Sequence, residues 1–213
     1  METILFKGQD LGFRYDPEKH LYTRKDVKVP GVTSILKELG FIDFSFVKKE
    51  IMERAQTLGT AVHKTCELYD NHDLPEKLES AEILNPYLES WKKFQKDFKF
   101  KIIYNEKMVA SAKWNFCGTL DRFGTGVIKG KSKQILLDIK TSKCYYPAVE
   151  LQLAGYEIAL REMEDMKGEI IRMSVQLSPD NYKITISEDY DMNVFLSAVN
   201  CYNWKKNKLK IRG

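Results

Sequence analysis

The sequence predicts an α/β protein, a mixed β-sheet core flanked by helices, with a β-hairpin extension at its N-terminus. Three observations carry this. Residues 116–140 read as two apolar strands joined by a turn rich in glycine and lysine. Helical apolar spacing stands before them, over residues 85–98, and after them, over 147–163. Two further strand-like runs and a last helix then complete an order of helices, strands, helix, strands, which suits a mixed sheet covered by helices. The 213 residues suffice for one domain with a sizeable core. The expected division is an N-terminal hairpin extension over 1–42, the core over 43–187, and a C-terminal helix and basic tail over 188–213.

Taken in order, residues 4–30 alternate polar and apolar around the turn signals Arg14-Tyr15-Asp16-Pro17 and His20-Leu21-Tyr22-Thr23, which predicts the hairpin. It leads into Val32-Thr33-Ser34-Ile35-Leu36, a short helix with Thr33 or Ser34 as its cap. Residues 43–71 turn helical, with a break expected at Leu58-Gly59 and Thr60 capping a second helix. That helix carries Val62, Cys66 and Tyr69 on one side and His63 with Glu67 on a neighbouring stripe. Asn85 before Pro86 reads as an N-cap followed by proline at the first helical position. Tyr87, Trp91, Phe94 and Phe98 then share one face, the spacing of a packed core stripe, with lysines around the rest. Strands follow within residues 100–124 and over 134–140, then the apolar helix over 147–163. Strands near 170–177 and 183–187 precede a last helix over about 192–204 and a basic tail over 205–212.

Composition excludes several classes. Hydrophobic residues at 43% and charged residues at 30% rule out a disordered chain. A net charge of +4 is mild and compatible with a polyanionic partner. Cys66, Cys117, Cys144 and Cys201 are widely spaced with no Cys-x-x-Cys pair, so neither a zinc knuckle nor a disulfide framework is expected. Nothing resembles a signal peptide, and no apolar run approaches the roughly 18 residues of a membrane span. A soluble cytoplasmic protein is the expectation, in the host cytoplasm if the chain is phage-encoded.

The chemistry concentrates on the 116–140 hairpin. A turn centred between Lys129 and Gly130 sets Asp121 directly opposite Asp138. Opposed side chains lie about 5 Å apart on one face. Lys140, two residues beyond Asp138, points to that face, and Ile139 to the other. Two acids this close repel unless a cation sits between them, which predicts a divalent-metal site beside a lysine. Carboxylate oxygens suit magnesium or manganese, the hard cations that phosphodiester hydrolysis uses, and an adjacent lysine can orient water or stabilise the transition state. The plainer alternative is an exposed hairpin face with a cross-strand Lys/Asp pair. His63, between Val62 and Cys66, is either structural or a ligand. Gln152 and Tyr156, four apart on an apolar helix, either satisfy buried backbone groups or face the metal site.

Together the series Gly-Thr-x-x-His63, Gly-x-x-Asp121-Arg, Asp138-x-Lys140-Thr and Gln152-x-x-x-Tyr156 resembles the RecB-like branch of the PD-(D/E)XK nuclease superfamily, across residues 59–156. His20-x-Tyr22 and Pro30-Gly-Val-Thr-Ser-Ile-Leu36 also look like the N-terminal region of stand-alone phage exonucleases and of the mitochondrial genome-maintenance exonuclease, with Pro-Gly-Val-Thr replacing the usual Pro-Ser-Val-Thr. The resemblance implies a restriction-endonuclease-like core. It makes His63, Asp121 and Asp138 metal ligands, completed by the Ile139 carbonyl, with Lys140 catalytic and Gln152 and Tyr156 in support. Glu106 falls where relatives often carry an acid. The implied activity is a magnesium- or manganese-dependent DNA exonuclease acting on linear DNA, alongside recombination, repair or replication proteins. It would leave a 5′-phosphate and a 3′-hydroxyl. The alternatives are a structure-selective endonuclease and a non-catalytic DNA-end-binding or recombination-accessory module. Only Cys201 follows the core, so the iron–sulfur cluster of related CRISPR adaptation nucleases is not expected.

Residues 125–132 nearly spell a nucleotide-binding Walker A loop, but Thr125 replaces its first glycine and a strand follows where the phosphates need a helix N-terminus. No nucleotide is therefore expected. The basic clusters at 92–101 and 205–212 read as solvated faces or as tracks for a strand, with Trp91, Tyr145, Tyr146 and Trp204 available for base stacking.

Overall fold

The computed structural model describes residues 1–142 and 146–210, without the side chains of 209 and 210. The N-terminal hairpin proves to be a four-stranded antiparallel meander, β1 (Glu2–Phe6), β2 (Gln9–Asp16), β3 (Leu21–Arg24) and β4 (Val27–Val29), paired in that order. Its last turn runs through Lys25 and Asp26, both at positive φ, with neither glycine nor proline to announce it. The meander buries Ile4, Phe6, Phe13 and Val29. Helix α1 (Val32–Glu38) follows; its N-cap is Gly31, with no side-chain hydrogen bond, rather than Thr33 or Ser34.

Helix α2 (Lys49–Asp70) corrects the expected break: it runs unbroken for 22 residues through Gly59 and Thr60. Gly59 serves a close approach instead, since a Cβ there would stand 3.3 Å from Thr141 Oγ1. After the short α3 (Glu76–Glu79), helix α4 (Asn85–Phe98) is capped by Leu84, which places Asn85 inside the helix. Pro86 still falls in the first turn, where its missing N–H costs nothing. The aromatic stripe is core as expected, with Trp91 and Phe94 fully buried and stacked at 5.3 Å.

The main sheet has five strands in sequence order: β5 (Lys101–Ser111), β6 (Phe116–Ile128), β7 (Lys131–Lys140), β8 (Ile170–Leu177) and β9 (Tyr182–Ile186). Only β7 and β8 are parallel, and helix α5 (Ala148–Glu164) makes the crossover between them. Helix α6 (Asp191–Lys210) continues past the expected end at 204, so the basic segment is helical through Lys210. The result is the anticipated mixed α/β architecture. One apolar cluster joins the sheet to the meander, α1, α5 and α6 through Phe13, Leu36, Leu136, Leu153 and Phe195. The other joins it to α2 and α4 through Val62, Trp91, Leu137, Ile139 and Val175. Leu136 and Leu137 thus serve opposite faces, as the pleat requires. Among the described residues no helix is long and apolar enough to cross a membrane, and Cys66, Cys117 and Cys201 are free thiols; Cys144 lies outside them.

Candidate active site

The β6–β7 turn places Lys129 and Gly130 at positive φ, which matches the twist of a two-residue hairpin. From Ile128↔Lys131 the ladder runs without a slip to Arg122↔Leu137. One more step in that register sets Asp121 opposite Asp138, the arrangement expected from the turn. There the backbone ladder gives way, and the Ile139 N–H donates instead to Asp121 Oδ2 at 2.7 Å. On the other side of β6, the pairs Asn105↔Arg122 and Lys107↔Leu120 flank Glu106, which therefore stands across from Asp121. Three carboxylates consequently form one row across three strands. Glu106 sits at φ 48°, a left-handed conformation that costs a non-glycine residue about 1–3 kcal/mol.

Helix α2 lowers His63 onto this row. Its Nε2 is 2.7 Å from the Ile139 carbonyl oxygen and its Nδ1 3.5 Å from Asp121 Oδ2. His63, Glu106 and Asp121 offer donor atoms that all lie within 4.8 Å of one another. Asp138 is next in the row but is engaged elsewhere: Lys140 Nζ pairs with its Oδ2 at 2.6 Å, and Gln152 Nε2 donates to its Oδ1 at 3.0 Å. The Gln152 amide also donates to the Tyr156 hydroxyl at 2.9 Å. Tyr156 lies flat against β6 because Gly118 has no side chain; a Cβ there would come within 2.5 Å of the ring. That gives the glycine of Gly-x-x-Asp121 a packing reason. His63, Asp121, Asp138, Lys140, Gln152 and Tyr156 thus gather in one place, and Glu106 joins His63 and Asp121 there with donor atoms within 4.8 Å of one another.

Burial, reinforced by the charge of Asp121, pushes the Glu106 carboxyl up to about 7 against the pull of Arg122. Burial likewise pushes Asp138 up to about 6, with Lys140 opposing and Asp121 adding to the rise. Burial tends to lower Lys140, but Asp138 and Asp121 outweigh it and hold the ammonium form. Buried carboxylates that resist ionisation, beside an imidazole and a backbone carbonyl, are a donor set that fits a hard divalent ion.

Asp70 was not singled out in the sequence, and Arg122, part of the Gly-x-x-Asp121-Arg series, was given no role there. Arg122, fully buried, donates from Nε to Asp70 Oδ2 at 2.7 Å, and from one terminal nitrogen to Glu106 Oε1 and the Asp121 carbonyl, each at 2.8 Å. Asp70 in turn accepts from Trp91 Nε1 at 2.9 Å and Gln95 Nε2 at 2.8 Å. This knot ties α2 and α4 to β5 and β6, and so sets His63 over the carboxylates. The signal was present: Asp70 follows Val62 and Cys66 at intervals of four on the apolar stripe, and Arg122 interrupts an apolar strand.

The row opens into a cleft of about 800 Å³ lined by His63, Glu106, Lys140 and Gln152, and further out by His20, Lys37, Phe44 and Tyr146. A hollow of about 910 Å³ along α2, lined by Glu50, Glu53, Leu58 and Ile83, is larger but gathers no comparable chemistry. Trp91, one of the aromatics considered for base stacking, is fully buried and unable to serve; Tyr145 and residues 211–213 lie outside the described residues. The Walker-like run joins two strands.

No protein-family model matches this chain, and no curated protein does. Among solved structures it is similar to a crystal structure of a candidate exonuclease from Eubacterium rectale, at 12% identity and a TM-score of 0.47. The similarity covers 67% of this chain and 63% of that one, less than two thirds of its length. At that distance the likeness decides nothing about activity.

Proposed function

We propose that this protein is a divalent-metal-dependent deoxyribonuclease, acting as an exonuclease on linear DNA. The observation that carries the reading is the row Glu106–Asp121–Asp138 beside a cleft lined by Glu106, His63, Lys140 and Gln152, with His63 set over Asp121 and Lys140 paired with Asp138. His63, Asp121, Asp138 and the Ile139 carbonyl, with Glu106 alongside, would hold magnesium or manganese. Such an ion supplies Lewis-acid charge against a phosphate and lowers the pKa of water. Lys140 brings an ammonium to the cleft from its pairing with Asp138, where it can donate to a phosphate oxygen or to the attacking water. Gln152 fixes the Asp138 carboxylate, and Tyr156 fixes Gln152. Lys37 and His20 line the outer cleft, where they can meet the strand's neighbouring phosphates.

The test follows end-labelled linear single- and double-stranded DNA beside a closed circle, with magnesium, manganese or chelator. Metal-dependent loss of the linear substrates alone is expected. Lys140→Ala and Asp138→Ala should each lower the rate at least about 100-fold. Cleavage of the closed circle would replace the exonuclease with an endonuclease. Full activity in either folded variant would end the assignment.

A further inference from the structure

We propose that Phe44 and Tyr146 form a stacking platform for an unpaired nucleobase, so that the strand entering the cleft is single-stranded there. The proposal rests on the deoxyribonuclease reading and adds the form of the substrate to it. The segment between α1 and α2, residues 41–48, carries three phenylalanines in six positions, and all are exposed: Phe41 40%, Phe44 40% and Phe46 80%. Aromatic side chains left in water at this density, beside a polar catalytic floor, call for a partner with an apolar face. Phe44 leans on the Tyr146 ring with centroids 5.1 Å apart, and both rings line the cleft that holds His63 and Lys140.

The pair is held in advance of any ligand. The Tyr146 hydroxyl accepts from the Asp43 N–H at 2.9 Å and donates to the Phe41 carbonyl, while Asp43 Oδ1 accepts from the Ser45 N–H at 2.8 Å. These bonds pin the segment to the start of α5 and orient both rings. The same cleft presents Lys37 and His20, so cationic groups for phosphates stand in one cavity with apolar faces for bases. That pairing of charge and ring is how single strands are held without sequence preference. In a duplex, every base but the last is covered above and below by its neighbours. Only an unpaired or terminal base offers the free face that Phe44 and Tyr146 match.

The experiment measures binding of the full chain, in chelator so that no turnover occurs, to a fluorescent single-stranded oligothymidine, an abasic oligomer of equal length, and a blunt duplex. Cleavage in magnesium and manganese is followed in parallel. Wild type should bind oligothymidine about 10- to 100-fold tighter than the abasic oligomer. Phe44→Ala should erase that ratio and Phe44→Tyr retain it, with unchanged thermal melting in both because the ring is exposed. Equal affinity for the two oligomers with cleavage intact would overturn the platform and leave the nuclease. A base preference that depends on Phe44, with no cleavage in either metal, would overturn the nuclease and leave the platform. Binding of neither oligomer, with no cleavage in either metal, would overturn both. A Phe44→Ala variant that changes oligomeric state but not DNA preference would assign the patch to a second copy of the chain and overturn the platform.

Discussion

Two clusters of buried charge lie two registers apart along the β7–β8 pair, and they are built on different principles. In the first, Arg172 pairs across β8 with Leu136, and its guanidinium lies 3.3 Å from Glu157 on α5. Glu157 also receives Arg161 at 2.7 Å, so one carboxylate stands between two guanidinium groups. In the second, Ser174 pairs with Asp138, and there Glu106, Asp121 and Asp138 face one ammonium, Lys140, and one guanidinium, Arg122. Arg122 is already shared with Asp70. Four carboxylates stand here against two fixed cations, and burial, with the charge of Asp121 adding to it, pushes Glu106 up to about 7 and Asp138 up to about 6. The first cluster serves the fold. The second carries two more carboxylates than fixed cations, a balance compatible with one divalent ion.

Removing the guanidinium of Arg122 should have the largest effect. Arg122→Met strands Asp70 in the interior and leaves Glu106 without its partner, and should cost about 3–5 kcal/mol in denaturant unfolding. A loss below about 1 kcal/mol would mean that the knot is not what joins α2 to the sheet. Next comes pH. Glu106 and Asp138 have raised carboxyls in the folded state, so the metal-free protein holds this stability below the ordinary carboxylate range. It loses it as pH rises through about 6 to 7. Melting in chelator should therefore weaken from pH 5 to pH 8, by on the order of 2 kcal/mol, and manganese should reverse the loss. A flat profile in chelator would deny the charge deficit.

Glu157→Gln probes the first cluster. It should cost about 1–2 kcal/mol while leaving the stabilisation by manganese unchanged. A reduced response to manganese would show that the two clusters act as one. The smallest effect belongs to Glu106→Gln, which removes a charge and keeps an acceptor for Arg122. At pH 8 in chelator it should raise stability by about 1 kcal/mol, and at pH 5 it should do nothing, because the native carboxyl is then already protonated. It should also shrink the rise in melting temperature that manganese gives; an undiminished rise would remove Glu106 from the ligand set.

Much of this was legible from the chain. The hairpin register followed from where Lys129 and Gly130 sit, because a two-residue turn fixes every pair that follows it. Asp121 and Asp138 were opposed on that ground alone. The core stripe of α4 followed from spacing, and the order of elements implied the mixed sheet. The four-stranded meander did not, since Lys25 and Asp26 make its last turn with neither glycine nor proline. The break expected at Gly59 was misleading: that glycine answers a contact with Thr141, distant in sequence.

The sequence by itself determined most of the helices, the β6–β7 register and the residue types of the site, because periodicity and turn chemistry are local. Tertiary structure alone decided which side chains meet. It brought Glu106 level with Asp121, set His63 against the Ile139 carbonyl, buried Arg122 between Asp70 and Glu106, and raised Phe44 onto Tyr146. Those choices depend on how close helices and strands approach and on how much water they exclude, quantities that no stretch of chain carries by itself.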